Sequence, residues 1–333
     1  MKLKNFDLDK KVFIVAEIGN NHEGNFNNAK KLINLAAKAG ADAVKFQTYQ
    51  TKNFILKKNL KRFNQLKNFE LTYEQFKSLK KIANKKKLKF ISTPLDIESG
   101  DFLISQADAI KIASGDNNFF PLLERILRSK KKMIISTGIT NIKQIKRLIN
   151  FIYKFYGKKN AEKKIAFLHC VTSYPVQDKF ANLRSIGYLK KNLKFTIGYS
   201  DHTIGNEACI AAVAMGARII EKHITIDKKF SKFRDHAISA DYKDLKRMIS
   251  SIRKVEKQLG KFSKEIQGPE KKLIKLVRRG VYAKKNILKG EIITHKNSNF
   301  LRPSSTLDFT NLNRILGKKV KKNINVNQKI EIF

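Results

Sequence analysis

The sequence predicts an α/β fold, a closed parallel barrel of eight βα units followed by a small β-rich domain. Two observations predict the barrel. Eight short β-branched segments alternate with amphipathic helical stretches, the order that builds parallel sheets. Chemistry-bearing side chains then gather at the ends of those segments, where a barrel places its site. Five of the six histidines stand in short polar contexts: His22 in AEIGNNHEG, His169 in LHCVTSYP, His202 in GYSDHT, His223 in IEKHIT and His236 in RDHAIS. An open doubly wound sheet would carry a Gly-rich fingerprint after its first strand, and IGNNHEG lacks the GxGxxG spacing.

Strands are expected at residues 12–17, 43–47, 90–93, 109–114, 133–136, 165–169, 196–199 and 219–223. Several are near-continuous apolar runs, as strands covered by helices must be. Residues 27–39, 73–86, 142–156 and 205–215 read as the helices between them, and 243–259 as a last one. The basic segment 51–69 reads as a mobile loop over the site. Polar residues with Gly and Pro follow from Gly260. They set a barrel domain at 1–262, a linker at 263–272 and a small domain of short strands and turns at 273–333.

A net charge of +42 suggests nucleic acid, but its distribution argues otherwise. Lys outnumbers Arg 57 to 13 and is spread in pairs such as Lys57-Lys58 and Lys80-Lys81. Nucleic-acid readers concentrate Arg forks and aromatics on one element. The excess is either a compositional bias or a field that draws in anionic substrates. A non-catalytic scaffold for RNA or an anionic glycan is the competing view, and it leaves the polar strand ends unexplained. No run approaches the ~18 apolar residues of a membrane span, and the first apolar segment is too short for a secretory signal. Cys170 and Cys209 make neither a disulfide framework nor a zinc pattern, which fits a reducing cytoplasm.

Lys45 and Lys111 interrupt strands that otherwise look buried. A buried ammonium must be paired. Each is therefore half of an internal ion pair with Glu17 or Asp116, or part of an anion nest with the hydroxyls of Thr93, Ser114, Ser136 and Ser200. His202 and His223 end consecutive strands, each near an acid (Asp201, Glu221). Such imidazoles ligate a divalent metal while the acids orient waters, or act as a general base, or are satisfied within the core. Cys170 reads as a small buried residue, with a catalytic thiol the alternative.

The segments AEIGNNHEG, VKFQTY, FISTPLD, IKIASGD, IISTGI, HCVTSYP, GYSDHT, EKHIT and RDHAIS, in that order, resemble the sialic acid synthase family. NILKGEIIT and FLRP resemble its C-terminal antifreeze-like (SAF, β-clip) domain. The resemblance implies a (β/α)8 TIM barrel enzyme that condenses phosphoenolpyruvate with an N-acylated aminosugar and water, giving a nonulosonic acid and phosphate. N-acetylmannosamine is the implied acceptor, with a 6-deoxy di-N-acetyl hexose, as in pseudaminic and legionaminic acid synthases, the alternative.

The same resemblance implies Lys45, Thr93, Lys111, Ser114, Ser136 and Ser200 as phosphoenolpyruvate contacts. It implies His202 and His223 as ligands of Mn2+ or Mg2+, and Glu17 and Glu221 as acids at the reacting centre. Gln47, Asp116, Tyr174, Asp235 and Arg302 would surround the sugar. Arg302 would reach from the small domain of one subunit to the barrel of another, implying a domain-swapped homodimer. The chain departs from the family at Leu95, often Phe, and at Phe233-Arg234-Asp235-His236, often GPDH-like. Arg234 adds a cation beside the expected sugar pocket.

Overall fold

The computed structural model describes residues 1–3, 5–305, 307 and 309–331. The chain forms two compact units, Met1–Gly260 and Lys261–Phe333.

In the first unit a short antiparallel hairpin of β1 (Lys2–Leu3) and β2 (Phe6–Asp7) precedes eight parallel strands. These are β3 (Phe13–Gly19), β4 (Ala43–Thr48), β5 (Lys89–Pro94), β6 (Ala109–Ile112), β7 (Met133–Ser136), β8 (Ile165–Cys170), β9 (Thr196–Asp201) and β10 (Ile219–His223). Each pairs with the next, and β10 pairs with β3 to close the barrel. The eight strands fall where the sequence places them, with ends shifted by a few residues. The largest internal change is at β6, which stops at Ile112, so that Ser114 stands in the 3-10 turn Ser114–Asp116.

Alternation along the strands sorts the side chains into layers. Phe13, Val15, Ile91, Ile134, Leu168 and Ile219 pack inside the barrel, with Met1, Leu3 and Leu8 in the same cluster. Ile14, Ala16, Val44, Phe46, Phe90 and Ile110 face the other way and join the helices in the larger core. Nearer the C-terminal strand ends, the inward positions change from apolar to Glu17, Lys45, Thr93, Lys111, Ser136, Ser200, Glu221 and His223, all buried. A barrel interior is a packed core. This one is apolar at one end and charged at the other.

Two sequence expectations need correction. Segment 51–69 is no irregular loop but holds helices Thr51–Phe54 and Leu60–Phe69. Asn59 caps the second by accepting from the Arg62 amide, and Leu66 and Phe69 bury beneath it. The periodicity is short and crowded with Lys and Asn, which hid it. The linker expected at 263–272 is likewise helical from Gly268, in Gly268–Val277, where Pro269 suits the first turn.

The second unit adds the antiparallel pair β11 (Gly280–Ala283) and β12 (Ser298–Leu301). Val281, Ile287, Ile293, Leu312, Ile315 and Ile324 belong to its separate apolar core.

Candidate active site

The polar ends of β3 to β7, β9 and β10 open into one cavity of about 450 Å3. Thirteen of the fifteen site residues expected from sequence line it: Glu17, Lys45, Gln47, Thr93, Lys111, Ser114, Asp116, Ser136, Tyr174, Ser200, His202, Glu221 and His223. Asp235 stands just outside, buried in the short helix Asp235–Ile238 and 3.4 Å from Arg234, which does line the cavity. Arg302 belongs to the second unit. The sequence reading missed Phe54, on the short helix Thr51–Phe54, and assigned no role to Thr172; both line the cavity, as does Cys170, read there as a small buried residue. Nothing local marks Phe54, because its place depends on how that helix folds over the strands.

Two ammonium groups meet two carboxylates on the cavity floor. Lys45 Nζ lies 2.9 Å from Glu17 and 3.5 Å from Glu221, and donates to Thr93 Oγ1 at 3.4 Å. Lys111 Nζ donates to Ser136 Oγ at 2.6 Å and lies 3.6 Å from Glu221. The Ser200 hydroxyl donates to the same Glu221 oxygen at 2.8 Å. The ion-pair alternative is realised, with one change: Lys111 pairs with Glu221 and not with Asp116, and a hydroxyl stands beside each ammonium. All four charged groups are almost wholly buried.

Their electrostatics differ. Burial pushes the Glu17 carboxyl up to about 7, with the neighbouring Glu221 charge adding to it and Lys45 opposing. Glu17 Oε2 has no hydrogen-bond partner. Burial also disfavours ionised Glu221, but Lys111, Lys45 and the Ser200 hydroxyl outweigh it and hold its pKa below the ordinary carboxylate value. One carboxylate is therefore fixed as a counter-ion while the other is poised to carry a proton. Burial lowers Lys111, against the pull of Glu221, whereas Lys45 is raised because Glu17 and Glu221 overcome its burial.

The imidazoles of His202 and His223 stand 5.5 Å apart between ring centroids, with the Tyr174 ring 4.1 Å from His202. His202 Nδ1 donates to the Val171 carbonyl at 2.8 Å, which leaves Nε2 as the free nitrogen. His223 Nδ1 is buried without a partner, and burial, with the cations around it, keeps the ring far below its ordinary pKa and so neutral. A neutral, unpartnered imidazole beside one oriented through its other nitrogen offers a divalent cation two donors. The residues fit such an ion as a two-donor site. Among the described residues no three His, Cys, Asp or Glu side chains form a complete ligand cluster. Asp201, expected to orient water near His202, turns away from the cavity and meets Lys222 at 2.7 Å.

A family model described as the NeuB family matches residues 32–264. The chain is 40% identical over 328 residues to the N,N'-diacetyllegionaminic acid synthase of Campylobacter jejuni, covering 94% of this chain and 97% of that one. It is 34% identical over 341 residues to a pseudaminic acid synthase of the same species, covering 97% and 96%. Its fold is similar to the crystal structure of a sialic acid synthetase from Leptospira borgpetersenii, with a TM-score of 0.74 at 37% identity, over 79% of this chain and 90% of that one.

Proposed function

The chain belongs to the NeuB family, and from that premise we propose that it condenses phosphoenolpyruvate with an N-acylated aminosugar and water, giving a nonulosonic acid and inorganic phosphate. The observation that carries this reading is the pairing of Lys45 and Lys111 with hydroxyls and one ionised carboxylate, beside a neutral His223 and a poised Glu17, in one cavity. Phosphoenolpyruvate brings a phosphate and a carboxylate. Lys45, Lys111, Thr93, Ser114, Ser136 and Ser200 supply the charge-assisted donors that such a molecule needs.

In this scheme C3 of phosphoenolpyruvate attacks the aldehyde carbon of the open-chain sugar. The aldehyde oxygen takes a proton and becomes a hydroxyl. Water adds to the cationic C2 and loses a proton, and the tetrahedral product expels phosphate. Glu17 is the residue we assign to the water proton, since its Oε2 is free and its pKa sits near neutrality. Glu221 stays ionised as counter-ion to the two lysines and stabilises positive charge at C2. Gln47, Asp116, Tyr174 and Asp235 hold the acceptor. His202 and His223 would hold Mn2+ or Mg2+, which when bound supplies Lewis acidity toward the acceptor's carbonyl oxygen.

The likeness of the C-terminal segment to an antifreeze-like domain supports a domain-swapped homodimer in which Arg302 covers the neighbouring barrel. No helix among the described residues is long and apolar enough to cross a membrane, and we place the activity in the cytoplasm. Phosphate release from phosphoenolpyruvate tests the reading, with N-acetylmannosamine and with 2,4-diacetamido-6-deoxy hexoses, each with and without Mn2+. Acceptor-dependent, metal-dependent release is expected. Folded, metal-loaded protein that released phosphate with no N-acylated aminosugar would end it.

A further inference from the structure

The departure at Phe233-Arg234 has a structural consequence. Phe233 is buried and lies edge-on to Phe69 at 5.2 Å between ring centroids. Phe69 is the last residue of helix Leu60–Phe69, so the contact docks the loop after β10 against that helix. A second cavity of about 370 Å3 opens there, lined by Arg62, Gln65, Lys232, Phe233 and Arg234. Arg234 also lines the reaction cavity, where its guanidinium lies over the Tyr174 ring at 4.7 Å. Arg62 donates to Gln65 at 2.7 Å, which fixes its side chain along the helix. Three cations from two segments thus line one concavity that no carboxylate lines. Arg234 meets Asp235 at 3.4 Å, and the charge of Arg62 also reaches that carboxyl.

Like charges gathered in a concave site repel one another, and an anion seated among them relieves the repulsion. The +42 charge of the chain explains many isolated lysines. It does not explain why a buried aromatic contact should hold three cations around a cavity that shares Arg234 with the reaction site. Resting on the synthase reading above, we propose that Arg62, Lys232 and Arg234 form an anion subsite for the acceptor, selecting an N-acylated aminosugar with a phosphate or carboxylate at the end remote from its aldehyde. Arginine forks suit both groups. The aldehyde faces the lysine floor while the anionic end lies in the second cavity.

The test uses the full chain with Mn2+ and compares N-acetylmannosamine, its 6-phosphate and its 6-carboxylate, following phosphoenolpyruvate consumption and product mass. An anionic acceptor is expected to exceed the neutral sugar roughly tenfold in kcat/KM, and comparison of its two forms tells phosphate from carboxylate. Arg62→Gln combined with Lys232→Gln should raise KM for that acceptor roughly tenfold, leaving KM for phosphoenolpyruvate and turnover of the neutral sugar unchanged. Arg62→Lys with Lys232 intact should restore most of the preference. Lys232 is exposed and Arg62 half-buried, and thermal unfolding of the variants checks that they fold. Equal use of neutral and anionic sugars overturns the subsite. So does a double variant that weakens phosphoenolpyruvate alike with every acceptor, which would make the cluster a steering field for that substrate. Failure to condense any acceptor overturns the synthase reading and the subsite with it.

Discussion

Glu17 and Glu221 show how much a few ångströms decide. Both carboxyls are buried and both face Lys45, yet Glu221 also receives Ser200 and Lys111 and stays ionised, while Glu17 keeps one bare oxygen and a pKa near 7. Glu17→Gln retains the shape and removes the proton carrier. We expect kcat to fall roughly 10²- to 10⁴-fold with KM for phosphoenolpyruvate little changed. The pH profile gives the sign. Glu17 takes a proton only when ionised, so kcat should climb as pH rises through about 7. The residual activity of the Gln variant should lose that limb. A variant that keeps it would reassign the limb to another group and remove Glu17 from the proton transfer.

Among the elements, β9 and β10 carry the most instructive pattern. Ser200 faces inward from β9 and Glu221 and His223 from β10, whereas Asp201 and Lys222 point outward. The register sets Asp201 opposite Lys222, and their ion pair is almost wholly buried. Asp201 also accepts from the Tyr199 hydroxyl and from the Thr203 amide and hydroxyl. The pair therefore ties together two strands at the level where their other faces build the site. Lys222→Met leaves the Asp201 charge buried and should destabilise the fold by roughly 3–5 kcal/mol. Adding Asp201→Asn should recover part of that loss. Thermal unfolding of the two single variants and the double variant reads the coupling, and additive losses would show that the two residues do not act as a pair.

This pair also marks where the sequence stopped being readable. The eight strands, their polar ends and the two histidines follow from a local alternation of periods, and the barrel gathers thirteen expected side chains into one cavity. Lys222 was invisible because its partner lies 21 residues away on another strand. Asp201 was drawn to His202 by adjacency, although neighbours in a strand point to opposite faces. Phe54 and the cations of the second cavity depend on two segments docking, which no periodicity encodes.

At the scale of the molecule the open matter is how the two units divide the work. The barrel unit holds every expected site residue except Arg302, which lies in a unit with its own core. The proposed swapped dimer makes a quantitative claim about mixtures. Glu17→Gln disables a barrel, and Arg302→Ala disables the residue a small domain contributes, so each variant alone should be close to inactive. Unfolded together in equal amounts and refolded, or coexpressed, about half of the dimers pair one variant with the other. With Arg302 acting across subunits, such a dimer has one barrel defective on both counts and one that joins an intact Glu17 to an intact Arg302. About a quarter of all sites are then whole, and the mixture should recover about that fraction of wild-type activity. With Arg302 acting on its own barrel no intact site can form, and the mixture stays as inactive as its parts. Restored activity would place Arg302 in the neighbour's site, and its absence, in mixtures shown to contain mixed dimers, would return Arg302 to its own chain.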